Sequence, residues 1–204
     1  MKTTRRLGGA LLVLSVVAVA AGCAKRPDAE VAAARAAVEE ARAAGGPQYV
    51  PEAFKGVEDA LQKAQEETKA QDDRFALMRS YDKAKESLAR VKGDAERVRT
   101  EAAAAKEKAK GEAETAQKEA RTALDDAKAL LAKAPRGKGT KADIEAMDAD
   151  LKAAETALVE ARAAADKEDY LGAKAKAQSV KDKATAVSAQ VQQARAKTAK
   201  AKKP

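Results

Sequence analysis

Between Pro51 and Pro135 the chain contains no proline, and alanine, lysine, glutamate, arginine and leucine fill most of the interval. These are strong helix formers, whereas proline costs about 3 kcal/mol in a helix interior, so a very long helix is the direct expectation. The same composition extends from Asp28 to the C-terminal lysines. Strong breaks fall only at Pro27, Gly45-Gly46-Pro47, Pro51, Pro135-Arg136-Gly137-Lys138-Gly139 and Pro204. Two weaker turns are expected at Ala70–Asp73 and Asp166–Asp169, where acidic side chains can cap helices opening at Phe75 and Tyr170.

These signals predict five helical segments: Asp28–Ala44, Glu52–Lys69, Arg74–Lys133, Lys141–Ala165 and Tyr170–Lys200. Apolar residues step by three and four along each of them. Val31, Ala34, Val38 and Ala41 form one stripe, and Phe54, Val57, Leu61 and Ala64 a second. The third begins with Leu77, Tyr81, Ala84, Leu88, Val91, Ala95 and Val98, continues through alanines 102, 105, 109, 113 and 116, and ends at Leu124, Leu130 and Leu131. Ile144, Met147, Leu151, Ala154, Leu158 and Ala161 follow, and the last stripe runs from Tyr170 through Ala177, Val180 and Val187 to Ala194. Such stripes are seams of helices packing on helices. The expected fold class is all-α, an elongated antiparallel helical bundle or coiled coil.

Local signals refine the boundaries. Pro51 suits a first helical turn, and Thr140 with Asp143 makes a T-x-x-D capping box. The third segment would span about 90 Å at 1.5 Å per residue, with a kink or break expected, if anywhere, at Gly93 or Gly111. Phe54, Val57, Leu61 and Ala64 are echoed by Ile144, Met147, Leu151 and Ala154, and Asp73-Arg74-Phe75 by Glu168-Asp169-Tyr170. The echo predicts two three-helix units, residues 28–97 and 98–199, sharing the long central helix as successive spectrin-type bundles do. All five aromatics, Tyr49, Phe54, Phe75, Tyr81 and Tyr170, fall in or near turns, where they are expected to plug bundle ends.

Composition also excludes functions. Histidine and tryptophan are absent, a single cysteine is present, and aromatics are 2% of residues. The commonest general base and metal ligand is therefore missing, and there is no Gly-rich phosphate loop or nucleophile elbow. No enzyme activity, cofactor or metal site is expected. Basic residues alternate with acidic ones without aromatic platforms, so nucleic acid is not an expected partner.

The first 23 residues carry the sharpest functional signal. Lys2, Arg5 and Arg6 precede the apolar run Leu7–Ala21, too short to span a bilayer, and the run stops at Ala20-Ala21-Gly22-Cys23. This order resembles the lipobox of bacterial lipoproteins, whose cysteine thiol receives diacylglycerol before a dedicated peptidase cuts ahead of it. The resemblance implies cleavage between Gly22 and Cys23, lipidation of Cys23, and a short tether over residues 23–27. Residues 1–22 would then be the removed lipoprotein signal peptide; the competing reading is an ordinary secretory signal cut near Ala18–Ala20 and leaving a free thiol. Two or three acyl chains hold a protein stably in a membrane, since each buried methylene contributes about 0.8 kcal/mol. Ala24 occupies the position where, in enteric-type bacteria, an aspartate resembles an inner-membrane retention signal, so the expected location is the outer membrane, facing the periplasm. A source with a single membrane would place the chain on the cell surface instead.

Charge is distributed unevenly. Loss of Lys2, Arg5 and Arg6 with the leader lowers the formal charge of +8 to +5. After Asp182 only Lys183, Arg195, Lys197, Lys200, Lys202 and Lys203 are charged, so the body is near neutral and the end is cationic. Arg195, Lys197, Lys200, Lys202 and Lys203, the last three within or beside a tail at 200–204, are the expected contacts to a polyanion, peptidoglycan included. Seam residues left exposed would recruit an envelope protein or a second copy.

Three resemblances add expectations. Tyr49-Val50-Pro51-Glu52-Ala53, and Lys167-Glu168-Asp169-Tyr170 with Ala173 and Ala177, resemble a family of alanine-rich bacterial envelope lipoproteins. That family shares a helical hairpin of unknown function, with a Y-x-P-E-like opening and a G-D-Y-x-x-A-like turn. Here Glu168 stands in place of the turn glycine, and the second copy lacks the Y-x-P-E opening. Membership implies an envelope location and a non-catalytic structural or interaction role. Residues 105–120, AKEKAKGEAETAQKEA, are similar to late-embryogenesis-abundant desiccation proteins, which implies a stress protectant ordered only in part. A peptidoglycan tether similar to the major murein lipoprotein is the third reading; that protein ends in the linking lysine, whereas this chain ends in Lys203-Pro204.

Overall fold

The computed structural model describes residues 25–135 and 140–201. Six helices account for nearly all of them: α1 (Asp28–Ala43), the one-turn α2 (Gly46–Tyr49), α3 (Pro51–Asp72), α4 (Asp82–Ala132), α5 (Lys141–Asp166) and α6 (Tyr170–Ala201). A 3-10 turn, Ala76–Met78, lies between α3 and α4. The fold is an all-α helical bundle.

Two cores divide the molecule. Ala34, Val38, Phe54, Val57, Leu88, Val91 and Val98 belong to one, built from α1, α3 and the first half of α4. Leu124, Leu131, Leu151, Leu158, Val180, Val187 and Val191 belong to the other, built from the second half of α4 with α5 and α6. α4 is thus common to both units. More than half of the buried apolar positions are alanines, which let helices approach closely but remove little surface from water at about 25 cal/mol per Å². Leu88, Leu151, Val98, Val180 and Val191 are among the largest fully buried side chains and supply the bulk.

Helix α4 is continuous over 51 residues and passes straight through Gly93 and Gly111, so neither breaks it. A methyl group added at either would meet nothing within 4 Å, which puts both on the open side of the helix. At 1.5 Å per residue α4 is about 77 Å long.

Several expectations are corrected. The third helix begins at Asp82, not Arg74, because Arg79, Ser80 and Tyr81 fold the stretch back onto the end of α3, leaving only the 3-10 turn between them. The Tyr81 hydroxyl donates to Asp72 Oδ1 at 2.6 Å, and the Arg79 guanidinium donates to the carbonyls of Asp72 and Arg74 at 2.8 and 2.9 Å. Ser80 N donates to Gln71 Oε1 at 3.2 Å. Leu77, expected in the seam, is 78% exposed, and Phe75, expected to plug a bundle end, is 72% exposed; Tyr81, at 3%, fills that place. The turn expected at Ala70–Asp73 is therefore displaced, since α3 continues through Asp72. Thr140 sits at the N-cap of α5 without a side-chain capping bond, its hydroxyl donating to the Pro135 carbonyl at 3.1 Å, so the T-x-x-D box does not close. The break at Gly45-Gly46-Pro47 does end α1, with Gly45 at φ 92 in the left-handed region that glycine enters without strain, but the one-turn α2 opens at Gly46 within it.

Candidate functional site

Among the described residues no single cleft gathers reactive groups; the structure instead has two poles of different chemistry, and helix direction defines them. α4 and α6 run parallel. Lys106 pairs with Glu168 at 2.6 Å, Glu112 with Lys174 at 2.7 Å and Glu119 with Lys181 at 2.8 Å, and every one of these pairs is 62 residues apart. A common separation repeated three times sets one register. Continued along the two helices, it brings the end of α4 at Ala132 level with Ala194. Leu131 and Val191 accordingly share a core.

Polar side-chain contacts tie further helix pairs. α1 lies parallel to α4 through Glu40 and Arg99 at 2.7 Å, and antiparallel to α3 through Arg35 with Gln65 and Arg42 with Glu58. Arg42 also lies 4.9 Å from the centre of the Phe54 ring. Lys176 with Glu160 joins α6 to α5, and Lys128 with Glu155 joins α4 to α5. The partner lysines hold the Glu112, Glu160 and Glu168 carboxyls below the usual range, in each case chiefly through the hydrogen bond.

One pole collects the start of α1, the end of α3 and the start of α4. Arg26 donates to Asp72 at 3.0 Å and also pairs with Asp28, which fixes the chain just before α1 against the end of α3. Asp72, accepting from Tyr81 and Arg26, has its carboxyl held below the usual range. Gly22 and Cys23 lie outside the described residues; Lys25, two positions after Cys23, is exposed at this pole. The loop carrying Phe75, Leu77 and Met78 is here too, with Met78 71% exposed. Sequence reasoning missed this patch by placing its residues on a helix. The available signal was three large apolar residues between Arg74 and Arg79.

The opposite pole collects the end of α4, the start of α5 and the end of α6. Arg195 and Lys197 are exposed on α6, past the level at which α4 stops. Lys200 lies in the last turn of α6, and Lys202 and Lys203 are outside the described residues. Near this pole α4 and α5 separate into an open groove of about 860 Å³, floored by Leu131, Ile144 and Leu151 and edged by Lys128, Lys141, Asp148 and Glu155. Its rim charges are largely paired with each other: Lys128 with Glu155, Lys141 with Glu145, and Lys152 with Asp148.

The two units meet between the poles. Tyr49, on α2, and Glu168, between α5 and α6, are the central residues. Gln48 Nε2 donates to Asp169 Oδ1 at 3.1 Å, and the same oxygen accepts from Gly172 N at 3.0 Å, capping α6 as expected. Glu168 has φ 62, a left-handed backbone. Its N–H donates to Ala165 and that of Asp169 to Ala164, the pair of bonds that closes a Schellman helix end. Burial raises the Tyr49 hydroxyl above its ordinary value.

Comparisons of the chain with protein families, with curated proteins and with solved structures find no match. Among the described residues no helix is long and apolar enough to cross a membrane.

Proposed function

We propose that this chain is a lipid-anchored, non-catalytic protein of the bacterial envelope, a helical rod held at one pole by acylated Cys23 in the outer membrane. The observation that carries the reading is the sole cysteine, placed directly after Ala20-Ala21-Gly22 and the basic and apolar run before it. The geometry is compatible with a tether. Arg26 lies at one pole, Arg195 and Lys197 at the other, and α4 alone separates them by about 77 Å. A cationic far end suits an anionic partner in the envelope, peptidoglycan foremost, through salt-sensitive contacts.

Mass analysis of protein extracted from membranes tests the anchor. A product beginning at acylated Cys23 is expected, and a free thiol or another start would overturn the reading. Sedimentation with purified peptidoglycan, with and without residues 195–204, tests the far end; equal binding by both forms would remove the basic end from the proposal. An ordered rod rather than a protectant is favoured by the long buried seams. Circular dichroism of the aqueous domain should then show high helicity and a cooperative melt before any drying.

A further inference from the structure

Five large apolar side chains are exposed among the described residues, and three of them, Phe75, Leu77 and Met78, sit in one short loop. The loop is built, not frayed. Arg79 clasps the Asp72 and Arg74 carbonyls, Ser80 N bonds Gln71, and Tyr81 bonds Asp72, so the loop is tied to the end of α3 while its apolar side chains stay exposed. Position gives the patch its occupant. Arg26 is tied to Asp72, at the base of the same loop, and three residues of chain from Arg26 to Cys23 reach at most about 11 Å.

We infer that the Phe75–Met78 loop enters the lipid bilayer beside the N-terminal anchor. The inference rests on the proposed lipidation of Cys23 and adds a second, protein-made contact to it. An acyl chain alone leaves the rod free to swivel and lie down on the surface. An apolar loop a short distance from the anchor gives a two-point attachment, and it stands the long axis of α4 away from the membrane. Lys25 and Arg74 are exposed beside the loop, but Asp73 is too. Insertion of Phe75, Leu77 and Met78, not charge attraction, therefore carries the contact, which should resist salt.

The chain has no tryptophan, so Phe75→Trp supplies a single fluorescent reporter at an exposed position. Val159→Trp, on α5 in the other unit and also exposed, is the control. Each full-length mature protein is reconstituted into phosphatidylethanolamine and phosphatidylglycerol vesicles with brominated acyl chains, and its acylation is checked by intact mass. The expected result is blue-shifted emission and strong quenching for the Phe75→Trp protein, unchanged in high salt, with neither for the Val159→Trp control. An acylated, vesicle-bound Phe75→Trp protein quenched no more than the control would overturn the loop while leaving the anchor intact. If the mass shows no acyl group, the anchor reading fails, and titration of the same protein with vesicles still decides the loop by the presence or absence of the blue shift. A blue shift that depends on protein concentration and needs no vesicles would assign the patch to a second copy and also overturn the inference.

Discussion

The hydroxyl of Tyr49 donates a 3.0 Å hydrogen bond to the backbone carbonyl of Glu168, joining residues 119 positions apart. With Gln48 on Asp169, it ties α2 of the first unit to the hairpin turn of the second, where Lys106 of the shared α4 also pairs with Glu168. Tyr49→Phe removes the donor while keeping the ring, and the freed carbonyl regains water. A loss of about 1 kcal/mol in unfolding free energy is expected from chemical denaturation. Hydrogen exchange should show the Glu168 and Asp169 amides opening faster while those around Leu88 are unchanged.

The left-handed backbone of Glu168 gives a sharper test. A residue with a Cβ is strained there by roughly 1–2 kcal/mol, and glycine is not. Glu168→Ala and Glu168→Gly both lose the Lys106 pair, so the difference between them isolates the backbone. Glu168→Gly should be the more stable of the two by about 1 kcal/mol, since the greater freedom of glycine in the unfolded chain offsets part of the relief. Thermal melts of the two variants side by side make the measurement. Equal stability would mean that the turn is not held at this φ in solution.

Helix stripes were readable because alanine-rich stretches with three-and-four spacing admit one efficient burial mode. The seam residues from Ala34 to Val191 consequently lie where the periodicity put them, with Leu77 the clear exception. Residues 74–81 failed for a physical reason. Arg, Phe, Ala, Leu and Met are adequate helix formers, and Leu77 to Tyr81 continues the spacing, but the bond from Tyr81 to Asp72 and the clasp of Arg79 outweigh weak local propensity. α2 was hidden because Gly45-Gly46-Pro47 reads as a break, although proline is well tolerated in a first helical turn. The turn before α6 was visible in the acidic residues of Asp166–Asp169, but its left-handed Glu168 was not, since a non-glycine residue gives no local sign of positive φ. At the two poles, the sequence showed Cys23 and the basic residues, but the exposed apolar loop near Arg26 emerged only once α1, α3 and α4 were brought together.

Proton linkage follows from the interhelix pairs. The folded-state values of Glu112, Glu160 and Glu168 are depressed by their lysines, so their contribution is complete above the ordinary glutamate value of about 4.3 and is lost as pH falls through the folded values. Lys106 and Lys181 are raised, mainly by their hydrogen bonds to Glu168 and Glu119, so theirs is complete below about 10.4 and is lost as pH rises further. Midpoints of thermal unfolding followed by circular dichroism should form a plateau across neutral pH and fall on both sides. Because the pairs are solvent-exposed, high salt should flatten the acid limb. An acid limb insensitive to salt would assign it to other groups.

Gly93 and Gly111 provide the last test, because the sequence alone allowed them to be hinges. In α4 both keep helical geometry, and a methyl group would stand clear of every neighbour. Nothing in the packing then requires glycine, and the backbone freedom it loses on folding is a net cost. Gly93→Ala and Gly111→Ala should each stabilise by about 1 kcal/mol. The two sites are several helical turns apart and share no contact, so the double variant should gain close to the sum. Chemical denaturation of the three variants reads this directly. A loss of stability at either position would mean that α4 bends there in solution, and would divide the rod into two independently oriented units.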